Sequence, residues 1–184
     1  AGKGPARDEP CTEQVVMGRV LAVLKLTVLR RSLRRQGKKV VFTNGTFDII
    51  HRGHVEYLQA ARKLGDVLIV GLNTDASIRR IKGKGRPINR NADRAAVLSA
   101  LGCVDYVCLF DDDTPYRLIQ TLAPDVLVKG ADWKIGEIVG SDVVEKHGGV
   151  VKTIRLTRGQ STTNTIERVL KAYCSKGSVR HRNT

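Results

Sequence analysis

Residues 39–54 read KVVFTNGTFDIIHRGH, and this stretch decides the fold. An apolar run from Val40 to Phe42 gives way to small polar residues and a glycine, and a histidine pair follows. The chain has four histidines in 184 residues, and His51 and His54 stand three apart around Gly53. A strand that breaks at a glycine and leads into a helix suits an anion, because backbone amides and the positive helix end face the ligand. The stretch therefore predicts an anion site behind the first strand.

The histidine pair has a functional and a structural interpretation. At a helix start, residues three apart project from one face, so His51 and His54 are predicted to meet the same phosphate, and Gly53 lets that phosphate approach the backbone. Alternatively, one ring packs in the core and the other caps the helix. Asp48 and Asn44 contact ligand or shape the loop through Asx hydrogen bonds. The other predicted ligand contacts of this loop are Thr43, Gly45, Thr46 and Phe47.

Short β-rich runs alternate with helical patterns along the chain. Strands are predicted at Lys39–Thr43, Val67–Gly71, Tyr106–Phe110, Val126–Lys129 and Val150–Ile154. Helices are predicted at His54–Leu64, Ala76–Ile81, Ala92–Leu101, Pro115–Leu122, Val143–His147 and Thr162–Cys174. The strands are continuous Val/Ile/Leu runs, as expected when helices cover both faces of a sheet. This order predicts an α/β, Rossmann-like, doubly wound five-stranded parallel sheet in a single domain.

The ends of the chain differ from this pattern. Residues 1–14 are predicted to form a flexible arm, residues 15–37 an N-terminal helix, residues 38–174 the main domain and residues 175–184 a basic tail. The helix prediction rests on the helical spacing of Met17, Leu21, Leu24 and Val28, with Gly37 ending the helix.

Composition narrows the class of protein. Apolar residues make up 41% of the chain, and the net charge of +14 implies an anionic partner. No two of the four cysteines have Cys-x-x-Cys spacing, so we expect thiols in a reducing cytoplasm. Arg19 and Lys25 interrupt the most apolar early stretch, so neither a signal peptide nor a membrane span is expected. The chain has no Gly-x4-Gly-Lys-Ser/Thr motif, and Gly83-Lys84-Gly85 does not open a helix after a strand.

Further phosphate-binding candidates follow the later strands. Asn73 and Asp75 come directly after the second strand, and a glycine loop carrying Lys82, Lys84 and Arg86 is either a phosphate-closing loop or a solvated basic loop. Arg94 is either a bidentate phosphate clamp or one half of a surface ion pair. In the second half of the chain, the segment with Lys129, Gly130, Asp132 and Trp133 suits the second substrate: the Asp132 carboxylate is predicted to accept from sugar hydroxyls, and Trp133 is a sugar-stacking residue or a plain anchor. The turn of Ser161, Thr162 and Thr163 is predicted to combine helix capping with phosphate binding.

Six separated blocks carry a family resemblance. They are FTNGTFDIIHRGHV at 42–55, VGLNTDAS at 70–77, GRPIN at 85–89, DRAAVL at 93–98, PDVLVKGAD at 124–132 and STTNTI at 161–166. Together they resemble the nucleotidyltransferase superfamily marked by His-x-Gly-His, and within it the D-glycero-β-D-manno-heptose 1-phosphate adenylyltransferases. The resemblance covers about residues 38–173. Departures are Thr46 in place of a common cysteine, Lys84 in a loop that often has proline, and Ala131 in place of a frequent glycine.

The resemblance implies transfer of AMP from ATP to a heptose 1-phosphate, with Mg²⁺ and with no protein metal ligands assigned. His51, His54, Lys82 and Arg94 are then the catalytic candidates. The partners expected are ATP and the sugar phosphate, without stable nucleic acid or membrane binding, in a cytoplasmic homo-oligomer such as a dimer. Some members of the family carry a sugar-kinase domain on the amino-terminal side. With about 38 residues before the first strand, this chain resembles the stand-alone form.

Two rival functions stay open. A cytidylyltransferase for glycerol 3-phosphate or a phospho-amino-alcohol would share the phosphate machinery and differ in the base and acceptor pockets. A nucleic-acid-binding module is suggested by the charge of +14 and by the basic run in residues 25–39, although aromatic stacking residues are scarce.

Overall fold

Six parallel strands form the single sheet of the described residues in the computed structural model, which describes residues 18–131, 135–155, 157, 159 and 161–174. The strands are β1 (Arg19–Val20), β2 (Val40–Gly45), β3 (Val67–Asn73), β4 (Tyr106–Phe110), β5 (Val126–Gly130) and β6 (Val150–Ile154). Their order across the sheet is β1-β4-β3-β2-β5-β6, and every neighbouring pair is parallel. The α/β Rossmann-like prediction is confirmed, but the predicted count of five strands is one too low.

Helices cover both faces of the sheet. They are α1 (Val23–Arg35), α2 (Arg52–Arg62), α3 (Asp75–Lys82), α4 (Asn91–Ser99), α5 (Tyr116–Leu122), α6 (Ser141–Lys146) and α7 (Thr162–Tyr173), with a 3₁₀ turn at Ile135–Glu137. Side chains of α1, α5 and α6 pack on one face of the sheet, and side chains of α2 and α4 pack on the other. None of the described helices is both long and apolar enough to cross a membrane.

The apolar run that opens β2 supplies both layers of the core. Val40 and Phe42 face the layer under α1, α5 and α6, and Val41 between them faces the layer under α2 and α4. All three side chains are fully buried. Burying a large apolar side chain contributes about 1.5–3 kcal/mol to stability. A run of apolar residues whose side chains point to both faces of the sheet is therefore favourable only in a strand that helices cover on both sides.

The strands that follow β2 along the chain are added first on one side of it and then on the other. β2 pairs with β3 on one side, and the chain continues outward from there to β4. On its other side β2 pairs with β5, which pairs in turn with β6. Loops at the carboxyl ends of β2 and β5 therefore diverge and open a crevice, which is where open parallel sheets bind ligands.

The predicted helix over residues 15–37 needs correction within its described part. Residues 19–21 run as an edge strand beside β4, with the Arg19 amide donating to the Asp105 carbonyl at 3.0 Å and the Leu21 amide to the Val107 carbonyl at 2.9 Å. Gly18 permits this approach, because a Cβ there would stand 2.3 Å from the Val104 carbonyl oxygen. The helix begins only at Val23.

The helical spacing also selected the wrong face of α1. Leu24 and Val28 are 77% and 62% exposed, whereas Leu26, Arg30 and Leu33 are buried. Arg30 accounts for the difference, because its guanidinium reaches the sheet side and binds the carbonyl oxygens that end α5 and the carboxylate of Asp125. An arginine can therefore stand where the pattern calls for an apolar residue.

The end of α1 agrees with the sequence. Gly37 has φ +68°, and the Lys38 amide donates to the Leu33 carbonyl at 2.9 Å. This is the glycine-ended arrangement that commonly stops helices. The predicted arm at 1–14 and tail at 175–184 lie outside the described residues.

Candidate active site

A cleft of about 570 Å³ opens at the carboxyl edge of the sheet. Residues from the ends of β2, β3 and β5 line it, together with the start of α2, the end of α3 and the start of α7. The predicted residues that line it are Asn44, Gly45, Thr46, Phe47, His51, Gly53, His54, Asn73, Lys82, Arg86, Lys129, Gly130, Ser161, Thr162 and Thr163. The structure thus brings both phosphate-binding candidates, the histidine pair and the hydroxyl-bearing turn, to one cavity.

The two imidazoles stack on each other. Their centroids lie 3.8 Å apart with the ring planes 21° from parallel, and the His54 amide donates to the His51 carbonyl at 2.9 Å. His51 is the N-cap residue of α2, but its side chain makes no capping hydrogen bond. Within the described part of the chain, both Nδ1 atoms are buried and lack a hydrogen-bond partner. Since both rings also line the cleft, the core-and-cap alternative does not describe this pair.

Burial keeps both rings neutral. It lowers the pKa of His51, and together with the nearby charges of His51 and Lys82 it lowers the pKa of His54 to about 4. A neutral imidazole has one N–H donor and one acceptor, so near pH 7 each ring offers a single donor. A phosphate entering the cleft would supply an acceptor for these donors.

Phe47 fixes the orientation of His54. Its ring packs at 5.2 Å from the His54 ring with a 60° tilt, and the residue is 5% exposed. Its φ is +41°, in the left-handed region that non-glycine residues rarely adopt. Such strain persists where the surroundings enforce it and is concentrated at functional sites. Gly45 makes room for the ring, because a Cβ there would stand 3.0 Å from it.

Asp48 organises the basic loop rather than facing the cleft. Its carboxylate is fully buried and accepts from Arg86 Nε at 2.7 Å and from the amides of Ile88 and Asn89 at 2.9 Å. Burial alone would raise the pKa of Asp48, but these hydrogen bonds lower it overall. The predicted substrate contact is therefore corrected in favour of the loop-shaping alternative.

The loop held by Asp48 brings two cations to the cleft. Lys82 and Arg86 both line it. Partial burial and the charge of Arg86 lower the pKa of Lys82, while Asp48 opposes this effect. The Nη2 atom of Arg86 is buried and, among the described residues, has no hydrogen-bond partner. This part of the cleft therefore presents a guanidinium nitrogen of Arg86 that has no hydrogen-bond partner among the described residues. It also presents the ammonium group of Lys82, whose charged form a bound anion would stabilise.

Arg94 does not reach the cleft. It is 1% exposed, and its guanidinium donates to the carbonyl oxygens of Asn89, Thr46 and Asn73 at 3.0, 2.7 and 2.9 Å. It also pairs with Asp75 at 2.7 Å. The predicted phosphate clamp is thus a structural tie between three loops, and Asp75 serves as its counter-ion rather than as a ligand contact.

Thr43 and Lys129 support the floor of the site differently. Thr43 is fully buried, and its hydroxyl lies 2.7 Å from the Tyr57 hydroxyl, so its predicted ligand contact is also corrected. Lys129 donates to Asn44 Oδ1 at 2.5 Å, which joins β5 to β2 across the crevice. Asp132 and Trp133 lie outside the described residues and stay predictions.

Several lining residues were missed by the sequence analysis. They are Tyr57, Ile81, Asp113, Thr114, Pro115, Ile138, Val139 and Thr157. Asp113, Thr114 and Pro115 follow β4 and could have been found, because they also stand at the carboxyl end of a parallel strand. Ile138 and Val139 carry no chemical signal and look like ordinary core residues in the sequence.

The fold and the cleft define a class of α/β proteins that bind anionic ligands at the carboxyl edge of a parallel sheet. The model of the cytidylyltransferase-like family matches residues 42–168. The chain belongs to this nucleotidyltransferase family, which confirms the superfamily resemblance.

Two curated relatives that match the chain carry the same name. The chain is 54% identical over 154 residues to the bifunctional protein HldE of Citrifermentans bemidjiense, covering 82% of this chain and 32% of that protein. It is 57% identical over 140 residues to HldE of Geobacter sulfurreducens, covering 76% of this chain and 29% of that protein. The chain thus spans about a third of the length of these relatives.

Two solved structures are similar. A lipopolysaccharide core biosynthesis protein from Thermoplasma volcanium has 31% identity and a TM-score of 0.54, covering 67% of this chain and 100% of that chain. Pantoate-beta-alanine ligase from Francisella tularensis has 17% identity and a TM-score of 0.58, covering 91% of this chain and 82% of that chain. The second likeness shows the fold alone.

Proposed function

We propose that the chain transfers AMP from ATP to D-glycero-β-D-manno-heptose 1-phosphate, giving ADP-heptose and pyrophosphate. The observation that carries the proposal is the convergence of His51, His54 and the Ser161–Thr163 turn on one cleft. The choice of a heptose acceptor is supported by the sequence blocks that resemble the heptose 1-phosphate adenylyltransferases and by the likeness to a lipopolysaccharide core biosynthesis protein.

The reaction needs positioning and charge neutralisation more than proton transfer. An oxygen of the sugar phosphate attacks the α-phosphorus of ATP, the new P–O bond forms, and the bond to the bridging oxygen of the β-phosphate breaks. The attacking phosphate is already ionised near pH 7, so no general base is required. Catalysis then rests on donors aimed at the charge on the α-phosphate and the leaving pyrophosphate.

The residues of the cleft divide this work. His51 and His54 donate to the α-phosphate from one part of the cleft lining. Lys82 and Arg86 neutralise the negative charge of the triphosphate. In another part of the lining, Ser161 caps α7 by accepting from the Asn164 amide at 3.0 Å. The other amides of the first turn and the helix dipole can then interact with phosphate oxygens.

Magnesium enters this scheme with the nucleotide. No group of three potential metal ligands occurs among the described residues, and Asp113 is the one carboxylate among the described lining residues. This donor set fits Mg²⁺ carried by phosphate oxygens, the usual mode for nucleotide sites, rather than a resident metal cage. The ion would add charge neutralisation on the phosphates. Asp113, whose carboxylate pairs with Arg80 Nε at 2.7 Å, is the described lining carboxylate that would face it.

A panel assay tests the proposal. The protein is incubated with Mg²⁺, with ATP or CTP, and with a set of acceptors that includes heptose 1-phosphate, other sugar 1-phosphates and glycerol 3-phosphate. Mass spectrometry identifies the products. We expect ADP-heptose from ATP, and exclusive formation of a CDP product would replace the proposal by the cytidylyl alternative.

Location, assembly and the sugar pocket are proposals as well. We propose a cytoplasmic location, where ATP is available, and a dimer that uses α1, on which Leu24 and Val28 are exposed. Light scattering tests the dimer, and a monomer at micromolar concentration would contradict it.

For the sugar pocket, we expect Asp132→Asn to raise the KM for the sugar phosphate while the KM for ATP stays nearly constant.

A further inference from the structure

Glu56 lies two residues beyond His54 on α2, and both of its carboxylate oxygens are used. Oε1 accepts from Arg52 Nε at 2.6 Å, one helical turn earlier. Oε2 accepts from the Thr157 hydroxyl at 2.5 Å, across 101 positions of sequence. The hydrogen bonds from Thr157 and then Arg52 lower the pKa of Glu56, so the group stays a carboxylate across the neutral range.

Thr157 stands in the segment that connects β6 to α7. It lines the cleft, and Ser161, the N-cap residue of α7, follows four positions later. The contact between Thr157 and Glu56 therefore ties this segment to the helix that carries both histidines.

The tie is important because α7 is weakly packed. None of its residues is buried, and Val169, Leu170 and Tyr173 are 52%, 53% and 63% exposed. Helices in proteins are held mainly by burial of an apolar face, and the described part of the structure offers α7 little of this. Polar contacts at its N-terminal end therefore have a large share in setting where its first turn lies.

We propose that Glu56 is a positioning residue, which through Thr157 holds the Ser161–Thr163 turn opposite the histidine pair. This inference rests on the proposed function. Arg52 has a second part in it, because its charge offsets a carboxylate that would otherwise repel phosphates in the neighbouring cleft. Glu56 itself does not line the cleft and would touch neither substrate.

Amide exchange in the free protein tests the tie without any substrate. The amides of Asn164 and Thr165 bond to Ser161 and report on the first turn of α7. We expect Glu56→Ala and Thr157→Val each to speed their exchange about five- to tenfold, the factor for one lost hydrogen bond. Gln59→Ala, an exposed change on the same helix, serves as the matched control. Unchanged exchange in both variants overturns the proposal.

Kinetics test the consequence for the site. In the same two variants kcat/KM for ATP should fall about five- to tenfold, and the double variant should be no worse than either single one, because both remove the same contact. Glu56→Gln keeps a carbonyl oxygen for Thr157 and Thr157→Ser keeps the hydroxyl, so both should stay within about twofold of the unmodified protein. Additive losses, or conservative variants as impaired as the others, overturn the proposal. Absence of nucleotide transfer by the unmodified protein would instead reject the proposed function, and the exchange measurement would still decide the contact.

Discussion

Burial and, to a smaller extent, the electrostatic effects of His51 and Lys82 oppose the protonation of His54. Its Nδ1 atom is buried and has no hydrogen-bond partner among the described residues, and its ring stacks on the ring of His51. A buried group with unsatisfied polar atoms costs stability unless a ligand completes it. We therefore propose that the pair serves a ligand rather than the fold, which has consequences for both turnover and acid stability.

Replacing His54 should cost turnover and leave the fold intact. We expect His54→Ala to lower the rate of pyrophosphate release by at least about 10²-fold, the usual cost of losing one donor to developing charge. His147→Ala on α6, whose ring bonds to the Val143 carbonyl, is the control and should stay near the unmodified rate. A near-normal rate in His54→Ala would remove His54 from the catalytic group.

Acid should destabilise the protein through His54. The pKa of this ring is about 4 in the folded protein and 6.5 for a histidine side chain in water, so between these values the unfolded chain binds a proton that the folded protein does not. The free energy of unfolding therefore falls as the pH drops from 6.5 towards 4, by roughly 1–2 kcal/mol once partial solvent exposure is allowed for. Urea unfolding at pH 7 and pH 4.5 should show this loss in the unmodified protein and a smaller one in His54→Asn. Equal losses would contradict the pKa shift.

Residue types predicted the lining of the cleft best where the sequence pattern was specific. The histidine pair, the glycine beside it and the hydroxyl-bearing turn are rare patterns, and the structure brings them together. Arg94 and Asp48 are charged residues of common type, and a charge next to a phosphate site can hold a loop as well as a ligand. The choice depends on backbone carbonyls and amides, such as those of Thr46 and Ile88, which a sequence does not reveal.

At the scale of elements, α4 is attached to the sheet by the apolar packing of Ala95 and Leu98 and by the hydrogen bonds of the buried Arg94 side chain. Removing Arg94 leaves Asp75 and three carbonyl oxygens without their donor, so we expect Arg94→Ala to lower the free energy of unfolding by about 3–5 kcal/mol. Urea denaturation followed by circular dichroism measures this. Arg90→Ala at the exposed N-cap of the same helix should change it by less than about 0.5 kcal/mol. A loss below about 1 kcal/mol in Arg94→Ala would show that the contacts of Arg94 carry little energy.

Five of the six strands in the described residues could be predicted from the sequence, and their amino ends were predicted more closely than their carboxyl ends. Tyr106–Phe110 and Val150–Ile154 were predicted with the bounds observed, and β2, β3 and β5 were each predicted too short at the carboxyl end. These ends are polar or contain glycine because they face the cleft, so their pattern looks like a loop. β1 has two residues and no apolar pattern, and its pairing depends on the space beside Gly18.

At the scale of the whole molecule, the chain carries a net charge of +14, and the substrates proposed for its cleft are anions. A field of one sign raises the local concentration of an anionic substrate and is screened by salt. Raising NaCl from about 0.05 to 0.5 M should lower kcat/KM for ATP several-fold with little change in kcat. Isosmotic sucrose is the control.

A charge-reversal variant distinguishes the effect of the overall positive charge from that of the residues that line the cleft. Arg34 and Arg35 on α1 are exposed and do not line the cleft. We expect the double change Arg34→Glu with Arg35→Glu to reduce kcat/KM for ATP about twofold at low salt and not at high salt. A loss that is independent of salt would point to a direct role of α1 instead.

The order of the strands has an evolutionary consequence. Because the chain departs to opposite sides of β2, residues that precede the α5–β5 connection build one wall of the crevice and residues that follow it build the other. A single recombination event at that connection would exchange one entire wall for that of a relative. The second half of the cleft can thus diversify by inheritance of a contiguous gene segment, while the histidine-bearing half passes on unaltered.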